Sequence, residues 1–146
     1  MIQQIYPAPL HDYRYELNKD FQFAAAHFIP HEEAGECQQI HGHTYFANIT
    51  IVGNELNETG FLINFQQIKK IIHNRFDHRI LNEDPLFSKE KANYFPTTEV
   101  VARTIWELIQ SHLDTLPTQS KCAQVFLRET PTSYCIYRPQ KEFLQS

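Results

Sequence analysis

Three histidines in the first third of the chain have a spacing that suits metal binding. His41 and His43 are two residues apart in an alternating segment, so their side chains point to the same face of a predicted strand. His27 ends the preceding predicted strand and lies beside them if the two strands pair. Three imidazoles that converge from neighbouring strands would form a facial site with open coordination positions, which suits zinc in a catalytic role.

Other zinc motifs are absent, and less specific explanations of these histidines stay open. The segment His31-Glu32-Glu33 lacks the second histidine of an HExxH helix, and the deaminase pattern of HxE with PCxxC does not occur. A single histidine is more often an ordinary core or surface residue than a ligand. A metal-free structural domain therefore remains an alternative to the metal site.

The thiol of Cys37 lies four residues before His41, at the edge of the predicted histidine site. A thiol beside a dication and imidazoles can act as a general base or as a nucleophile. It can also be a fourth zinc ligand that closes a structural site, or a loop residue without a function. Cys122 and Cys135 fall within alternating apolar segments, which predicts that both pack against the core.

Two carboxylates are candidates for proton transfer or substrate binding. Asp77 directly precedes His78, and such a pair can orient an imidazole for proton transfer, although it also occurs on solvated loops. Glu129 ends an apolar stripe that consists of Ala123, Val125 and Leu127. At a strand end Glu129 can simply reach solvent. In a pocket, it can accept two parallel hydrogen bonds from an amidine-like edge such as that of a 2-amino-4-oxopyrimidine.

Periodic apolar positions predict the elements that carry these residues. Alternation predicts one strand over 13–27, with a bend around 18–20, and a second from His41 that ends near Gly53-Asn54, joined by a loop over 29–40. Helical spacing after Asn64, a good N-cap residue, predicts a helix that ends at Phe76.

The second half of the chain predicts one more helix and two strands. A threonine after Pro96 can cap this helix, and Pro117 closes it. Its apolar side is predicted to include Val101, Ile105, Leu108 and His112. Strands are predicted over 122–129 and 134–138, with a turn over 130–132.

The resulting order, ββααββ, predicts an α+β fold. Consecutive strands joined in this way favour an antiparallel sheet with both helices on one face. Such a four-stranded sheet leaves two open edges, so we expect oligomerisation that pairs them.

Composition narrows the functional classes. The 146 residues are 42% hydrophobic and carry a net charge of −4, which favours one globular domain over residues 1–146 and disfavours a basic nucleic-acid-binding module. We expect no membrane span and no signal peptide, because no apolar run is long enough and no basic segment precedes one. Three cysteines without CxxC spacing favour reduced thiols in the cytoplasm.

Five motifs, taken together and in order, resemble the 6-pyruvoyl-tetrahydropterin synthase / 6-carboxy-tetrahydropterin synthase family over nearly the whole chain. They are Phe23-Ala24-Ala25-Ala26-His27, Cys37-x-x-x-His41-Gly42-His43-x-Tyr45, Phe76-Asp77-His78-x-x-Leu81-Asn82, Pro96-Thr97-x-Glu99 and Leu127-Arg128-Glu129-Thr130. The resemblance implies a T-fold, in which ββααββ subunits join their sheets into a barrel, commonly as a hexamer of two stacked trimers. This implication agrees with the predicted element order and open edges.

The resemblance also implies a role for each candidate residue. His27, His41 and His43 resemble the zinc ligands of the family, and Cys37 resembles its catalytic proton acceptor. Asp77 and His78 resemble a relay pair that, in the family, reaches the site from a neighbouring subunit. Glu129 resembles the glutamate that anchors the pterin and joins the proton relay. The implied substrate is 7,8-dihydroneopterin triphosphate; Lys19, Arg79 and Arg128 are candidates to bind its triphosphate only as cations near motif segments.

The three-residue spacer between Cys37 and His41 resembles the bacterial 6-carboxy branch of the family. That branch consists of lyases that make a queuosine precursor and release acetaldehyde. The alternatives are the 6-pyruvoyl branch and a non-catalytic pterin- or purine-binding T-fold protein. A subgroup with glutamate in place of the cysteine is disfavoured by Cys37, although Glu36 lies next to it. Asn64 replaces the aspartate of many relatives, and either residue caps a helix.

Overall fold

Two long strands form the hairpin on which the three histidines lie. A computed structural model describes residues 6–87 and 94–146, with β1 at Tyr15–His27 and β2 at His41–Gly53. The strands pair antiparallel along their whole length, from Tyr15 opposite Gly53 to His27 opposite His41. The loop between them contains a 3₁₀ segment, Glu32–Gln38, which the sequence analysis did not predict.

The bend predicted in the first strand is wrong, because β1 is continuous through 18–20. Polar side chains in this stretch are paired across the hairpin, and so the strand has no need to break. Asn18 accepts a hydrogen bond from Thr50 Oγ1 at 2.7 Å, and Asp20 accepts one from Asn48 Nδ2 at 2.9 Å.

The sheet has five strands in the order β3-β1-β2-β4-β5. β4, Lys121–Thr130, pairs antiparallel with β2, and β5, Ser133–Tyr137, pairs antiparallel with β4. The predicted purely antiparallel four-stranded sheet needs one correction, since the two-residue strand β3, Arg79–Ile80, pairs parallel with β1. Two residues are too short for an alternating pattern, so the sequence carried no signal for this strand.

Both predicted helices form, and each begins at its predicted cap. α1 extends over Phe65–Phe76, where the Asn64 side chain accepts a hydrogen bond from Gln66 N at 3.0 Å. α2 extends over Thr98–Leu113, where the Thr97 side chain accepts one from Val100 N at 3.2 Å. A short helix, α3, at Lys141–Gln145 was not predicted.

The core lies between one face of the sheet and the two helices. The α2 positions Val101, Ile105 and Ile109 are fully buried, whereas Leu108 and His112 lie at the margin of the packed face and are only half-buried. Fully burying one such aliphatic side chain stabilises a protein by about 1.5–3 kcal/mol. The prediction that both helices cover one face of an α+β sheet is confirmed.

A bulge in β4 decides which of its residues reach the core. The register shifts between Thr50 and Ile51 of β2, so that Cys122 rather than Ala123 joins the core cluster with Val125. The packing role predicted for Cys122 is confirmed, and its burial raises the pKa of the thiol to about 12.

Cys135 is half-buried against the same cluster, in keeping with its predicted packing. Within residues 6–87 and 94–146, no helix is both long and apolar enough to cross a membrane.

Candidate active site

The three histidines predicted from spacing form one cluster at the end of the hairpin. The β1–β2 register sets His27 opposite His41 and Ala25 opposite His43. The ring centroids are 4.5 Å apart for His27 and His41, 5.0 Å for His27 and His43, and 4.8 Å for His41 and His43. One ring nitrogen from each residue lies within 4.8 Å of the others, so the group is positioned to bind a metal ion.

Backbone carbonyls fix the tautomers of two of these rings. His27 Nδ1 lies 2.7 Å from Pro96 O, and His41 Nδ1 lies 2.7 Å from Gln39 O. A carbonyl oxygen only accepts hydrogen bonds, so each Nδ1 carries the proton and each Nε2 keeps a lone pair. This is the arrangement that metal-ligating histidines adopt, in which the second nitrogen is held by an outer hydrogen bond.

The unpartnered nitrogens of the cluster fit a bound cation. The Nε2 atoms of His27 and His43 are buried and make no hydrogen bond, although Glu129 Oε1 lies 3.1 Å and 3.4 Å from them. Burial lowers the pKa of His43, which favours the neutral imidazole that a metal requires. A lone pair that faces a carboxylate is unfavourable without a proton or a cation between them. The donor set therefore matches a divalent metal such as zinc.

Glu129 reaches the cluster from the end of β4. Contact with the His27 imidazole and a hydrogen bond from Thr98 hold the pKa of this carboxyl below its ordinary value, although burial opposes the shift. The carboxylate is half-buried rather than free in solvent. Glu129 is thus an ionised hydrogen-bond acceptor inside the site. Of the two possibilities raised by the sequence, solvent exposure at the strand end and a place in a pocket, this is the second and less common one.

A cavity of about 490 Å³ opens beside the cluster, between the 3₁₀ segment and the start of α2. Cys37, His27, Thr98 and Glu129 line it together. Among the described residues, the group that can hold a metal contains the three histidines and not Cys37. This geometry favours a thiol that faces a bound molecule over a fourth ligand.

The loop that carries Cys37 depends on the backbone of Gly35. Gly35 has φ 55° and ψ −123° inside the 3₁₀ segment, a conformation that side-chain-bearing residues rarely adopt. Downstream of it, Cys37 O accepts a hydrogen bond from Ile29 N at 2.8 Å, which ties the loop to the chain that follows β1. The reversal at Gly35 therefore sets where the thiol lies.

We expect the substitution Gly35→Ala to lower about tenfold any turnover that depends on Cys37, while metal binding by the three histidines is unchanged. Nothing lies within 4 Å of an added Cβ, so the effect comes from backbone strain of about 1–3 kcal/mol that displaces the Cys37 loop. Gly60→Ala is the matched control, since Gly60 also has a positive φ and open space but lies in a remote turn. Comparable loss of thermal stability in both variants, with activity reduced in Gly60→Ala as well, would contradict this role of the loop.

The Asp77–His78 pair lies outside the cavity that Cys37 and Glu129 line. Asp77 Oδ1 accepts a hydrogen bond from Ala24 N at 2.8 Å, and Asp77 Oδ2 lies 3.0 Å from His78 Nδ1. The Ala24 N–H holds the pKa of Asp77 below its ordinary value. His78 has φ 60°, and its N–H donates to Ala24 O, which fixes the turn before β3.

His78 does not meet the cavity of its own chain. Its side chain is 83% exposed and lines a surface with Ala24 and Thr44. Side chains alternate along a strand, so Ala24 and Thr44 point to the sheet face opposite to Ala25 and His43. Within one chain His78 is thus absent from the cavity that Cys37 and Glu129 line, whereas a separate, shallower concavity is lined by both His78 and His43.

Several groups that position the site have no role predicted from the sequence, although Asn82 and Pro96 stand in two of the five motifs. Asn82 clamps the residue after His27, accepting from Phe28 N at 3.0 Å and donating to Phe28 O at 2.8 Å. Thr98 bonds Glu129, and its place beside a helix cap was its only signal. The carbonyl of Pro96 had none, because every residue carries one.

Tyr45 packs against the histidine cluster from the side of the core. Its side chain is fully buried, its ring stacks on Phe23 at 4.9 Å, and its hydroxyl lies 3.4 Å from His27 Nδ1. The ring also contacts His43 edge-on, with centroids 5.6 Å apart. The aromatic pair fills the space under two of the histidines and so restricts their rotamers.

The chain is similar in sequence to proteins named as pterin synthases. The model of the 6-pyruvoyl tetrahydropterin synthase family matches residues 16–140. The 6-carboxy-5,6,7,8-tetrahydropterin synthase of Bacillus subtilis is 55% identical over 141 residues, which covers 97% of each chain. The 6-pyruvoyl tetrahydrobiopterin synthase of Drosophila melanogaster is 32% identical over 113 residues, covering 73% of this chain and 64% of that one.

A solved structure extends the likeness to the fold. The 6-pyruvoyl tetrahydropterin synthase of Caenorhabditis elegans superimposes with a TM-score of 0.67 at 23% identity, covering 86% of this chain and 96% of that chain. The T-fold subunit expected from the motifs is thereby confirmed.

Proposed function

The chain belongs to the 6-pyruvoyl tetrahydropterin synthase family, and we propose that it is a single-domain, zinc-dependent lyase of the 6-carboxy branch. Its reaction would convert 7,8-dihydroneopterin triphosphate and one water to 6-carboxy-5,6,7,8-tetrahydropterin, with release of acetaldehyde and triphosphate, in queuosine biosynthesis. The observation that carries the proposal is that Cys37, His27 and Glu129 line one cavity. The near full-length likeness to the B. subtilis 6-carboxy-5,6,7,8-tetrahydropterin synthase supports the choice of branch.

His27, His41 and His43 would hold the zinc through their Nε2 atoms. Bound zinc would supply Lewis-acid polarisation of the substrate side-chain oxygens, which makes the neighbouring C–H bonds more acidic. Pro96 O and Gln39 O keep the two outer tautomers in place. The protein therefore presents a preformed set of neutral nitrogen donors on a rigid hairpin.

Cys37 would accept a proton from the substrate side chain, and Glu129 would hold the pterin ring. The carboxylate of Glu129 can take two parallel hydrogen bonds from the 2-amino and ring N–H groups of a pterin. Thr98 orients that carboxylate by its hydrogen bond. With the ring held at Glu129, the side chain of the substrate would lie within the same cavity as His27 and the Cys37 thiol.

Asp77 and His78 would complete the proton relay of a neighbouring copy. Asp77 holds the His78 imidazole at 3.0 Å, on the sheet face away from its own cavity. The exposed edges of β3 and β5 leave backbone groups for pairing with other copies, which supports a homohexamer of two trimers. The free thiols suit the reducing cytoplasm, where we place the protein.

A 6-pyruvoyl product is the second candidate, favoured by the likeness to the Drosophila 6-pyruvoyl tetrahydrobiopterin synthase. The metal, thiol and carboxylate of the site suit both reactions, because both begin with proton movement along the substrate side chain. The length of the Cys37 spacer distinguishes the branches by resemblance alone, so the product must be identified directly.

In the decisive experiment, the zinc-loaded protein is incubated with 7,8-dihydroneopterin triphosphate, and the products are identified by mass spectrometry. We expect 6-carboxy-tetrahydropterin, acetaldehyde and triphosphate, with zinc measured on the same preparation. A pyruvoyl product alone would move the protein to the second candidate. Pterin binding without turnover would favour the non-catalytic binding protein.

A further inference from the structure

The cavity beside Cys37 carries the wrong charge for a triphosphate. Its lining includes the carboxylates of Glu33, Glu99 and Glu129, and no lysine or arginine among the residues that the structure describes. A polyphosphate is bound by arginine forks and lysine ammonium groups, and nearby carboxylates repel it. Among the residues that the structure describes, the cavity of one chain therefore offers a group for the pterin end of the proposed substrate and no cationic side chain for its triphosphate.

Cations lie near His78, on the surface that the proposed function turns toward a neighbouring copy. A concavity of about 660 Å³ is lined by Lys69 and His78, and an adjacent one of about 470 Å³ by Arg79 and His78. Ala24 and Thr44 line both, so the two concavities form one continuous surface with small side chains at its floor.

The geometry of α1 explains why Lys69 is available there. Lys69, His73 and Asp77 follow one another at four-residue spacing on one side of the helix. His73 bonds Gln22 O at 2.7 Å and Asp77 bonds Ala24 N at 2.8 Å, so both serve the free edge of β1. The ammonium group of Lys69, unlike the side chains of His73 and Asp77, is not bonded to β1 and is available to bind another partner.

Lys69 and Arg79 are exposed and form no ion pair with any described residue. Arg128, another of the sequence candidates, lies over the Phe126 ring and donates to Pro131 O at 3.0 Å. Lys19, the remaining candidate, lines neither concavity.

The two acids of this surface are already engaged. Asp20 accepts a hydrogen bond from Asn48, and Asp77 accepts one from Ala24 N while it holds His78. Their oxygens are thus bonded to partners within the chain. The surface around His78 also carries two cations, Lys69 and Arg79, each of which lines a concavity that His78 shares.

We propose that Lys69 and Arg79 of one copy bind the triphosphate of a substrate whose pterin ring lies in the cavity of a neighbouring copy. The assignment rests on the proposed function, which brings His78 to that neighbouring site. Arg79 directly follows His78, so a relay imidazole that reaches the substrate side chain brings the guanidinium toward the attached phosphates. Lys69 contributes a second positive charge from the other concavity that His78 lines.

The test compares Arg79→Gln and Lys69→Gln with Lys70→Gln, a neighbouring lysine that lines neither concavity. We measure KM for 7,8-dihydroneopterin triphosphate and, by calorimetry, the Kd of inorganic tripolyphosphate. Loss of a charged contact to phosphate should raise both values about tenfold or more in the first two variants and leave Lys70→Gln unchanged. Arg79→Lys should lie between Arg79→Gln and the parent, because it keeps the charge without the fork.

The outcomes separate this inference from the proposed function. Turnover in the parent with unchanged KM and tripolyphosphate Kd in both glutamine variants overturns the triphosphate assignment and leaves the function intact. Tripolyphosphate binding that depends on Arg79, without turnover in the parent, supports the anion site and overturns the function. No tripolyphosphate binding and no turnover in the parent overturn both.

Discussion

Substitution of His43 by alanine is expected to abolish metal binding at the histidine cluster, which we propose holds zinc, and with it all measurable turnover. His43 supplies one of three nitrogens that lie within 4.8 Å of one another, and two imidazoles alone do not form a facial site. Changes in outer-shell partners already weaken metal binding by about 10- to 100-fold, so loss of a ligand should exceed that. Zinc content after dialysis, and affinity by chelator competition, measure the effect.

The fold should survive this change. His43 Nε2 makes no hydrogen bond, so alanine removes no structural partner from the metal-free chain. His112→Ala is the matched control, because His112 lies in the last turn of α2 and has no role in the cluster. Parent-like zinc affinity in folded His43→Ala would contradict the metal site.

The second large effect is expected for Cys37→Ala, which should keep its zinc and lose about 10²–10⁴-fold in kcat. The thiol lines the cavity but does not belong to the group of metal ligands, so its removal affects proton transfer and not metal retention. Because Cys37 is exposed, the substitution leaves the core unchanged. Steady-state kinetics and metal analysis on the same preparation measure both properties.

Loss of zinc together with activity in Cys37→Ala would instead make Cys37 a fourth ligand. If the parent also lacked turnover, the non-catalytic pterin-binding protein would be favoured. Cys37→Ser offers a finer comparison, since a hydroxyl has nearly the same size but is a far weaker base at neutral pH.

Mixed oligomers test whether His78 acts across a subunit boundary. Cys37→Ala and His78→Ala should each be inactive alone. When the two are co-assembled, about one quarter of the sites combine an intact Cys37 with an intact His78 from a neighbour, so activity should return. An inactive mixture that has verifiably exchanged subunits would show that the relay does not act in trans.

Most of the secondary structure was accessible from the sequence because its signals are local. The strands β1 and β2 are long enough to show alternation, and Asn64 and Thr97 are strong caps, so α1 and α2 begin where predicted. The errors fall where local signals are short or ambiguous.

Two such errors have clear causes. The two-residue strand β3 has no period, and the expected bend near Asp20 was read from polar residues whose partners lie on another strand. The buried apolar face predicted for α2 is wrong by one position, because Leu108 is only half-buried whereas Ile109 is fully buried.

The histidine cluster is the part of the site that the sequence by itself determined. His41 and His43 must share a face of any strand that contains them, and the hairpin register then requires His27 beside them. The order of the five motifs likewise indicates the family without any tertiary information.

Tertiary structure decided how those residues can work. The carbonyl of Pro96, distant in sequence, sets the His27 tautomer, and the packing of β4 brings Glu129 within 3.1 Å of the same ring. The sheet separates His78 from the cavity of its own chain, because side chains at alternate positions face opposite sides. These relations depend on contacts between distant segments, and no local pattern of residue types encodes them.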